Sequence, residues 1–170
     1  MNKLFNASFL PQRMISALLD SNIYGLLVAD IKDGPDLVEK IKQDRDFIIH
    51  NFKLIRNELR KAPSKVLPIY DKLAANRVIG ETKQIKDLAN LYFKEYKSNK
   101  GTQGQKKIFN DFKIVSCATI LNCDLVISED RKTLLHPIAI QAYKDINIKI
   151  SRRTPTFYNY KDLKKKYSLA

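Results

Sequence analysis

The sequence is poor in cysteine, glycine and negative charge, and it has no long apolar run. Its 170 residues include two cysteines, five glycines and no tryptophan. Cys117 and Cys123 cannot make a disulfide framework, and there is no second pair to complete a zinc site. Both lie in an apolar stretch, so we expect buried, reduced thiols in a cytoplasmic protein. Neither a membrane span of about 20 residues nor the apolar region of a signal peptide is present, so no membrane partner is expected.

Positive charge is the most unusual property of the composition. Lysine and arginine total 31 against 18 aspartate and glutamate residues, which gives a net charge of +13. A protein with this charge is expected to meet an anionic partner. Nucleic acid is the first candidate, an acidic protein the second and a membrane surface the third. The hydrophobic content of 44% is that of an ordinary soluble domain with a buried core.

The pattern along the chain predicts an α/β domain with three parts. Residues 1–13 form an N-terminal arm, 14–150 the core, and 151–170 a basic, tyrosine-rich segment that completes the core. Residues 97–107 are rich in lysine, glycine and glutamine and predict an exposed, mobile loop. Alternating strands and helices predict a three-layer α/β/α fold with a central, mostly parallel sheet. The predicted strands are 14–19, 46–50, 124–128 and 146–150, and the predicted helices are 23–29, 36–43, 52–61, 64–75, 82–97, 108–121 and 137–144.

Carboxylates follow two of the buried strands and also lie on core-facing sides of helices. Asp20 ends the first strand, and Asp130 follows the strand at 124–128. Glu58 and Asp111 lie beside apolar residues on their helices. Because the carboxyl ends of parallel strands meet at one sheet edge, the four acids are expected to converge there.

Each of these acids also has a plain structural interpretation. Asp20 and Asp111 could cap helices. Glu58 could be a solvated surface group, and Asp130 could be an ordinary loop acid. Glu129 competes with Asp130 for the site, but side chains alternate across a strand, so only one of the two can face it.

A divalent metal ion would explain a group of acids in a basic protein. Carboxylate oxygens are hard ligands that suit Mg²⁺ or Mn²⁺. Such a centre can lower the pKa of a bound water and stabilise a leaving oxygen, which is the chemistry of phosphodiester hydrolysis. The predicted metal ligands and catalytic residues are Asp20, Glu58, Asp111 and Asp130.

Four segments, in order, resemble the motifs of PIN-domain nucleases. Leu18 to Asn22 resembles the opening motif, and Asn57 to Arg60 resembles the second. Asn110 to Ala118 resembles the third, an aspartate that begins a small apolar helix. Leu125 to Asp130 resembles the fourth, a strand that ends in Thr/Ser-x-Asp. Thr154 and Pro155 also resemble the end of that fold.

The resemblance covers about residues 14–164 and implies a PIN-like fold and nuclease activity. It implies that the four acids bind metal and that Asn22 and Ser128 support them through hydrogen bonds. The family includes single-strand endoribonucleases, among them the VapC-type toxins of toxin–antitoxin pairs, and related structure-specific DNA nucleases. It therefore implies single-stranded RNA as substrate, with an acidic antitoxin-like protein and a homodimer as further possible partners. The arm, the loop at 97–107 and the basic tail distinguish this chain from a compact toxin.

Basic residues near the acids and in the tail are candidates for nucleic-acid binding. In the tail they alternate with tyrosine and phenylalanine, a pattern that suits single-stranded RNA because bases stack on aromatic rings. The same aromatic side chains could instead anchor the tail to the core. A structure-specific DNA nuclease and a non-catalytic nucleic-acid-binding module remain as alternative functions. The candidate nucleic-acid-binding residues are Lys106, Lys107, Arg131, Lys132, Arg152 and Arg153.

Overall fold

The computed structural model describes residues 13–169 of the chain. The predicted N-terminal arm, residues 1–13, lies outside the described residues except for Arg13. In the described part no helix is both long and apolar enough to cross a lipid bilayer. The elements in chain order are β1 (Ile15–Leu19), α1 (Ser21–Ala29), α2 (Gly34–Gln43), β2 (Phe47–Phe52), α3 (Lys53–Leu59), α4 (Val66–Leu73), β3 (Ala74–Ile79), α5 (Lys83–Ser98), α6 (Gln105–Ile120), β4 (Leu125–Ile127), α7 (Pro137–Lys149), β5 (Thr156–Tyr158) and α8 (Tyr160–Lys166).

A five-stranded sheet in the order β3-β2-β1-β4-β5 forms the centre of the molecule. Every pair of neighbouring strands is parallel. The central strand β1 is apolar, and Ala17, Leu18 and Leu19 are fully buried, as expected for a parallel sheet covered on both faces. All five strands therefore end at the same edge, where the predicted acids follow β1 and β4.

Helices cover the sheet and complete the predicted three-layer α/β/α architecture, which is thereby confirmed. Helices α1 to α4 pack against one another, while α5 packs against α6 and α7. The core-facing stripe of α6 includes Ile108, Phe112 and Val115, all fully buried at helical spacing. Cys117 and Cys123 are buried free thiols, as the sequence predicted.

The last strand of the sheet lies elsewhere in the sequence than predicted. The strand predicted at 146–150 is wrong, because α7 continues to Lys149. Ala139, Ala142, Tyr143 and Ile146 are buried at helical spacing, and this apolar stripe outweighs the short alternation of isoleucines. The outer strand beside β4 is β5, which lies in the segment 151–170.

Two further differences concern the middle of the chain. Strand β3 follows α4 directly and was not predicted, because Ala74–Ile79 is exposed over most of its length and lacks an apolar alternation. The loop predicted at 97–107 is shorter, since α5 ends at Ser98 and α6 begins at Gln105. The backbone N–H groups of Gly101 and Gln103 donate to the carbonyl and the hydroxyl of Tyr96, at 2.8 and 3.0 Å. The helical hairpin of α5 and α6 is thus closed by a hydrogen-bonded turn.

Candidate active site

Asp20 occupies the junction of β1 with α1 at the carboxyl edge of the sheet. Its backbone N–H donates to the carbonyl of Ile127, the last residue of β4, at 2.9 Å. Its side chain is 4% exposed and caps α1 by accepting the backbone N–H of Ser21 at 2.7 Å. Capping and site formation are therefore compatible at this residue, since one carboxylate oxygen serves the helix and the other faces β4.

Asn22 and Ser128 both contact the Asp20 carboxylate. The Ser128 hydroxyl donates to Oδ2 of Asp20 at 2.7 Å, and Nδ2 of Asn22 donates to the same oxygen at 3.2 Å. The Oδ1 of Asn22 accepts the backbone N–H of Glu129 at 3.2 Å. This side chain therefore links α1 to the end of β4 and fixes the orientation of the acid.

Glu58 and Asp111 reach the same region from α3 and α6. Burial raises the pKa of Glu58, and a hydrogen bond from Ser21 partly opposes this shift. Burial also raises the pKa of Asp111 to about 7, with further increases from the charges of Asp20, Asp130 and Glu58. The charge of Asp20 raises the pKa of both carboxyls in addition to burial, so Glu58 and Asp111 lie on the same side of the sheet edge as Asp20.

Asp130 and Glu129 point to different places, in the loop that follows β4. Both oxygens of Asp130 serve the following turn: Oδ1 accepts the backbone N–H of Lys132 and of Thr133 at 3.0 Å, and Oδ2 accepts the Thr133 hydroxyl at 2.5 Å. Glu129 turns towards α8, where its Oε1 accepts the backbone N–H of Tyr160 at 2.6 Å. Asp130 is therefore the acid on the side of Asp20 and Asp111.

The four acids share an edge without forming a closed cage. Among residues 13–169, no three side chains of histidine, cysteine, aspartate or glutamate are close enough to hold one metal ion. Mg²⁺ usually keeps several waters and takes only one or two carboxylates directly from a protein. Carboxylate oxygens are donors of the kind that suit a hydrated divalent cation. Burial is the main cause of the raised pKa values of Asp20, Glu58 and Asp111, and repulsion from neighbouring carboxylates adds to it.

The predicted nucleic-acid-binding residues divide between the two ends of the sheet. Arg131 and Lys132 are exposed and follow Asp130 directly, while Lys106 and Lys107 are exposed on the first turn of α6, one turn before Asp111. Arg153 lies at the opposite edge. The structure thus places the first four near the acids.

The two tail arginines do not join that group. Nη1 of Arg153 donates to Oδ1 of Asp124 at 2.9 Å, at the start of β4. The same carboxylate accepts a hydrogen bond from Arg13 at 2.7 Å. Arg152 is exposed on the chain segment that leads away from α7. The sequence shows Arg152 and Arg153 near aromatic residues. It does not show that the two arginines lie far from the carboxyl edge of the sheet.

Three residues beside the acids were not identified from the sequence. Lys61 and Lys113 line a cleft beside Glu58, and their charges lower its pKa. Thr133 supports Asp130 through its hydroxyl. The spacing of Asp130 and Thr133 is a recognisable turn signal. Lys61 and Lys113 carry no such signal, because tertiary packing brings the turn after α3 next to α6.

Comparison with known proteins supports the fold. A chain of VapBC2 from Rickettsia felis, solved bound to a DNA fragment from their promoter, matches with a TM-score of 0.54 at 13% identity, over 85% of this chain and 98% of that one. A chain of VapBC-1 from nontypeable Haemophilus influenzae matches with a TM-score of 0.54 at 16% identity, over 86% and 99%. No protein-family model and no curated protein matches the sequence. The resemblance to PIN domains is thus confirmed at the level of the fold.

Proposed function

We propose that this protein is a divalent-metal-dependent endonuclease that hydrolyses phosphodiester bonds in single-stranded RNA. The observation that carries the proposal is the arrangement of Asp20, Glu58, Asp111 and Asp130 at one sheet edge, with pKa values raised for three of them. Concentrated negative charge in a protein of net charge +13 calls for a cation at that place. The shared fold of the two VapBC chains supports a PIN-type nuclease.

The residues of the site would have two main roles, metal binding and substrate binding. The four carboxylates would hold Mg²⁺ or Mn²⁺, which supplies an activated water and charge stabilisation at phosphorus. Ser128 and Asn22 keep the Asp20 carboxylate in place through hydrogen bonds. Exposed cations beside the acids would bind the phosphate backbone. They are Lys106, Lys107, Arg131 and Lys132.

The position of the basic side chains at this edge favours single-stranded RNA over a DNA fork. The basic side chains near the acids lie on short turns and on the first turn of a helix, and within residues 13–169 no inserted domain stands over the sheet edge to clamp a duplex. A flexible strand can reach acids at such an edge without melting a helix.

The activity test compares substrates and metals with matched variants. Labelled single-stranded RNA, single-stranded DNA and forked DNA are incubated with Mg²⁺, Mn²⁺ or EDTA. We expect RNA to be cut only with metal, and Asp20→Asn and Asp111→Asn to lower the rate on the order of 100-fold or more. Asp36→Asn is the control, because Asp36 is an exposed acid paired with Lys40 on α2.

Each other outcome has a definite meaning. Cutting that survives both site substitutions would reject the four-acid site. Preferential cutting of forked DNA would support the alternative of a structure-specific DNA nuclease. RNA binding without cutting would support the non-catalytic module.

We also propose an acidic, antitoxin-like protein partner. The two solved chains compared above come from VapBC complexes, and the net charge of +13 favours an acidic partner. A cytoplasmic location agrees with the two buried free thiols. Co-expression with the product of the neighbouring gene, followed by size-exclusion chromatography and the RNA assay, tests the partner and would also reveal the proposed homodimer.

A further inference from the structure

A cleft beside the acids contains an acid that the proposed chemistry does not use. The cleft has a volume of about 840 Å³ and lies between α1 and α8. Its lining includes Asn22, which bonds to Asp20, and Glu129, which precedes Asp130. The cleft therefore opens next to the carboxylates rather than elsewhere on the surface.

The two walls of the cleft differ in chemistry. The α1 wall presents Gly25, Leu26 and Ala29, which are small or apolar. A Cβ atom added at Gly25 would meet nothing within 4 Å, so the helix is open to close approach there. The α8 wall presents the Tyr160 ring and the exposed Lys161. An apolar face, an aromatic ring and a cation are the features that a protein uses to hold a base and its phosphate.

The α8 wall is held in place by contacts of two lining residues, Tyr160 and Lys164, with the end of α1. The Tyr160 hydroxyl donates to Asp30 at 2.8 Å. Lys164 pairs with Asp30 at 3.1 Å and with Asp33 at 2.7 Å. These contacts lie on the turn between α1 and α2, so both walls of the cleft are fixed relative to each other.

Glu129 supplies the polar group that could read a base. Its Oε1 accepts the Tyr160 N–H, and in the described part of the chain its Oε2 accepts no hydrogen bond. A carboxylate has two oxygens with several acceptor positions and no donor. Guanine is the one RNA base with two adjacent donors on its Watson–Crick edge, N1–H and the N2 amino group. Adenine, cytosine and uracil each set an acceptor beside the donor, and a carboxylate repels that acceptor.

We propose that the cleft between α1 and α8 binds a guanine base of single-stranded RNA next to the cleaved bond, with Glu129 as the residue that selects it. This inference rests on the proposed function, since it assigns the base preference of the same site. The continuity of the cleft with Asp20 through Asn22, and the presence of Lys161 for a phosphate, favour a nucleotide over a peptide as the occupant.

The test measures binding without cutting. Asp111→Asn protein is titrated with dye-labelled uridine pentamers whose central base is guanine, hypoxanthine or adenine. Asp111 lies on α6, away from the cleft lining. We expect guanine to bind about tenfold or more tightly than adenine, which is the usual discrimination by a bidentate contact. Hypoxanthine, which lacks the N2 amino group, should lose most of that preference.

Two further substitutions in the Asp111→Asn protein distinguish a loss of base recognition from a loss of folding. Glu129→Gln keeps an oxygen for the Tyr160 N–H but offers an amide donor in place of the second acceptor, so the guanine preference should fall to less than about twofold. Gly25→Leu projects a side chain into open space and should weaken all three pentamers. Leucine is a better helix former than glycine, so Gly25→Leu should fold. Glu95→Gln on α5 is the matched charge control and should retain the preference.

The outcomes distinguish this inference from the proposed function. Equal binding of the three bases, or a guanine preference that survives Glu129→Gln, would overturn the inference even if the wild-type protein cuts RNA. RNA binding that is unchanged by Gly25→Leu would also overturn it and leave the cleft to a protein partner. If the wild-type protein does not cut RNA but the cleft still selects guanine, the result would support the proposed base site and reject the proposed nuclease activity.

Discussion

Buried carboxylates determine how single residues of this protein respond to pH. An aspartate in an unfolded chain releases its proton near pH 4, whereas burial raises the pKa of Asp111 in the folded protein to about 7. Between these values the folded state binds more protons than the unfolded state. The contribution of Asp111 to stability is therefore present below about pH 4 and is lost as the pH rises through 7.

Asp111→Asn should remove this penalty. In EDTA at pH 8 the variant is expected to melt at a higher temperature than the wild type, and the difference should shrink towards pH 4. A gain of 1 kcal/mol corresponds to about 2–4 °C for a chain of this size. Thermal unfolding followed by circular dichroism measures it, with Asp36→Asn as the control. A variant that melts lower than the wild type at pH 8 would contradict the raised pKa.

At the residue scale the sequence indicated the candidate acids but not the orientation of every neighbour. Asp20 and Asp130 could be predicted because each follows a buried strand, and parallel strands end together. Asn22 and Ser128 came only from the family resemblance. Glu129 and Arg153 depended on which way a side chain or a tail turns, and those directions follow from α8 and β5, which the sequence pattern does not show.

The element most sensitive to a small substitution is the helical hairpin of α5 and α6. A Cβ atom at Gly101 would lie 2.3 Å from the Tyr96 ring. That ring is buried and packs edge-on against Phe112 at 5.5 Å, so it has little room to move. The close approach of backbone and ring therefore requires glycine at this turn.

Gly101→Ala should destabilise the protein by about 1–3 kcal/mol, which is typical of overpacking. Gly25→Ala is the matched control, since a Cβ atom there meets nothing within 4 Å and alanine favours the helix by about 1 kcal/mol. Urea unfolding should move the two midpoints in opposite directions. Equal midpoints for the two variants would show that the Tyr96 ring yields to the added methyl group.

Elements with strong periodicity were predicted well, and those defined by tertiary contacts were not. The stripe of α6 and the apolar strand β1 could be read from the sequence. Strand β3 is mostly exposed and β5 has three residues, so neither carries an amphipathic signal long enough to detect. The alternation of isoleucines at 146–150 resembles a strand pattern, but Asn147 is fully buried in α7. It bonds to Tyr92 of α5 and to Thr154, which precedes β5.

For the whole molecule, the distribution of charge matters more than its sum. Several cations are neutralised locally: Lys164 pairs with two aspartates and Arg153 with Asp124. Arg131 and Lys132 are exposed beside the acids. Only cations that are free to contact phosphates release counterions from RNA and make binding depend on salt.

Salt titrations of RNA binding should therefore distinguish the exposed pair Arg131 and Lys132 from the neutralised Arg153. For single strands the slope of log K against log salt changes by about 0.7 for each phosphate contact. Combined replacement of Arg131 and Lys132 by glutamine should flatten the slope by about this amount for each lost contact. Arg153→Gln should leave the slope unchanged, and a flattened slope for that variant would show that RNA reaches the opposite sheet edge.

The central position of β1 also has a consequence for how the protein folds. Its neighbours are β2 and β4, and the hydrogen bond from Ser128 to Asp20 joins residues 108 positions apart. Pairings across such distances form slowly, because the loop must close before the contact is gained. The carboxylate edge is therefore assembled only when the first and the fourth strand meet. A partly folded chain would have no organised site. The proposed nuclease activity should therefore return during refolding with the slow kinetic phase and not with early helix formation.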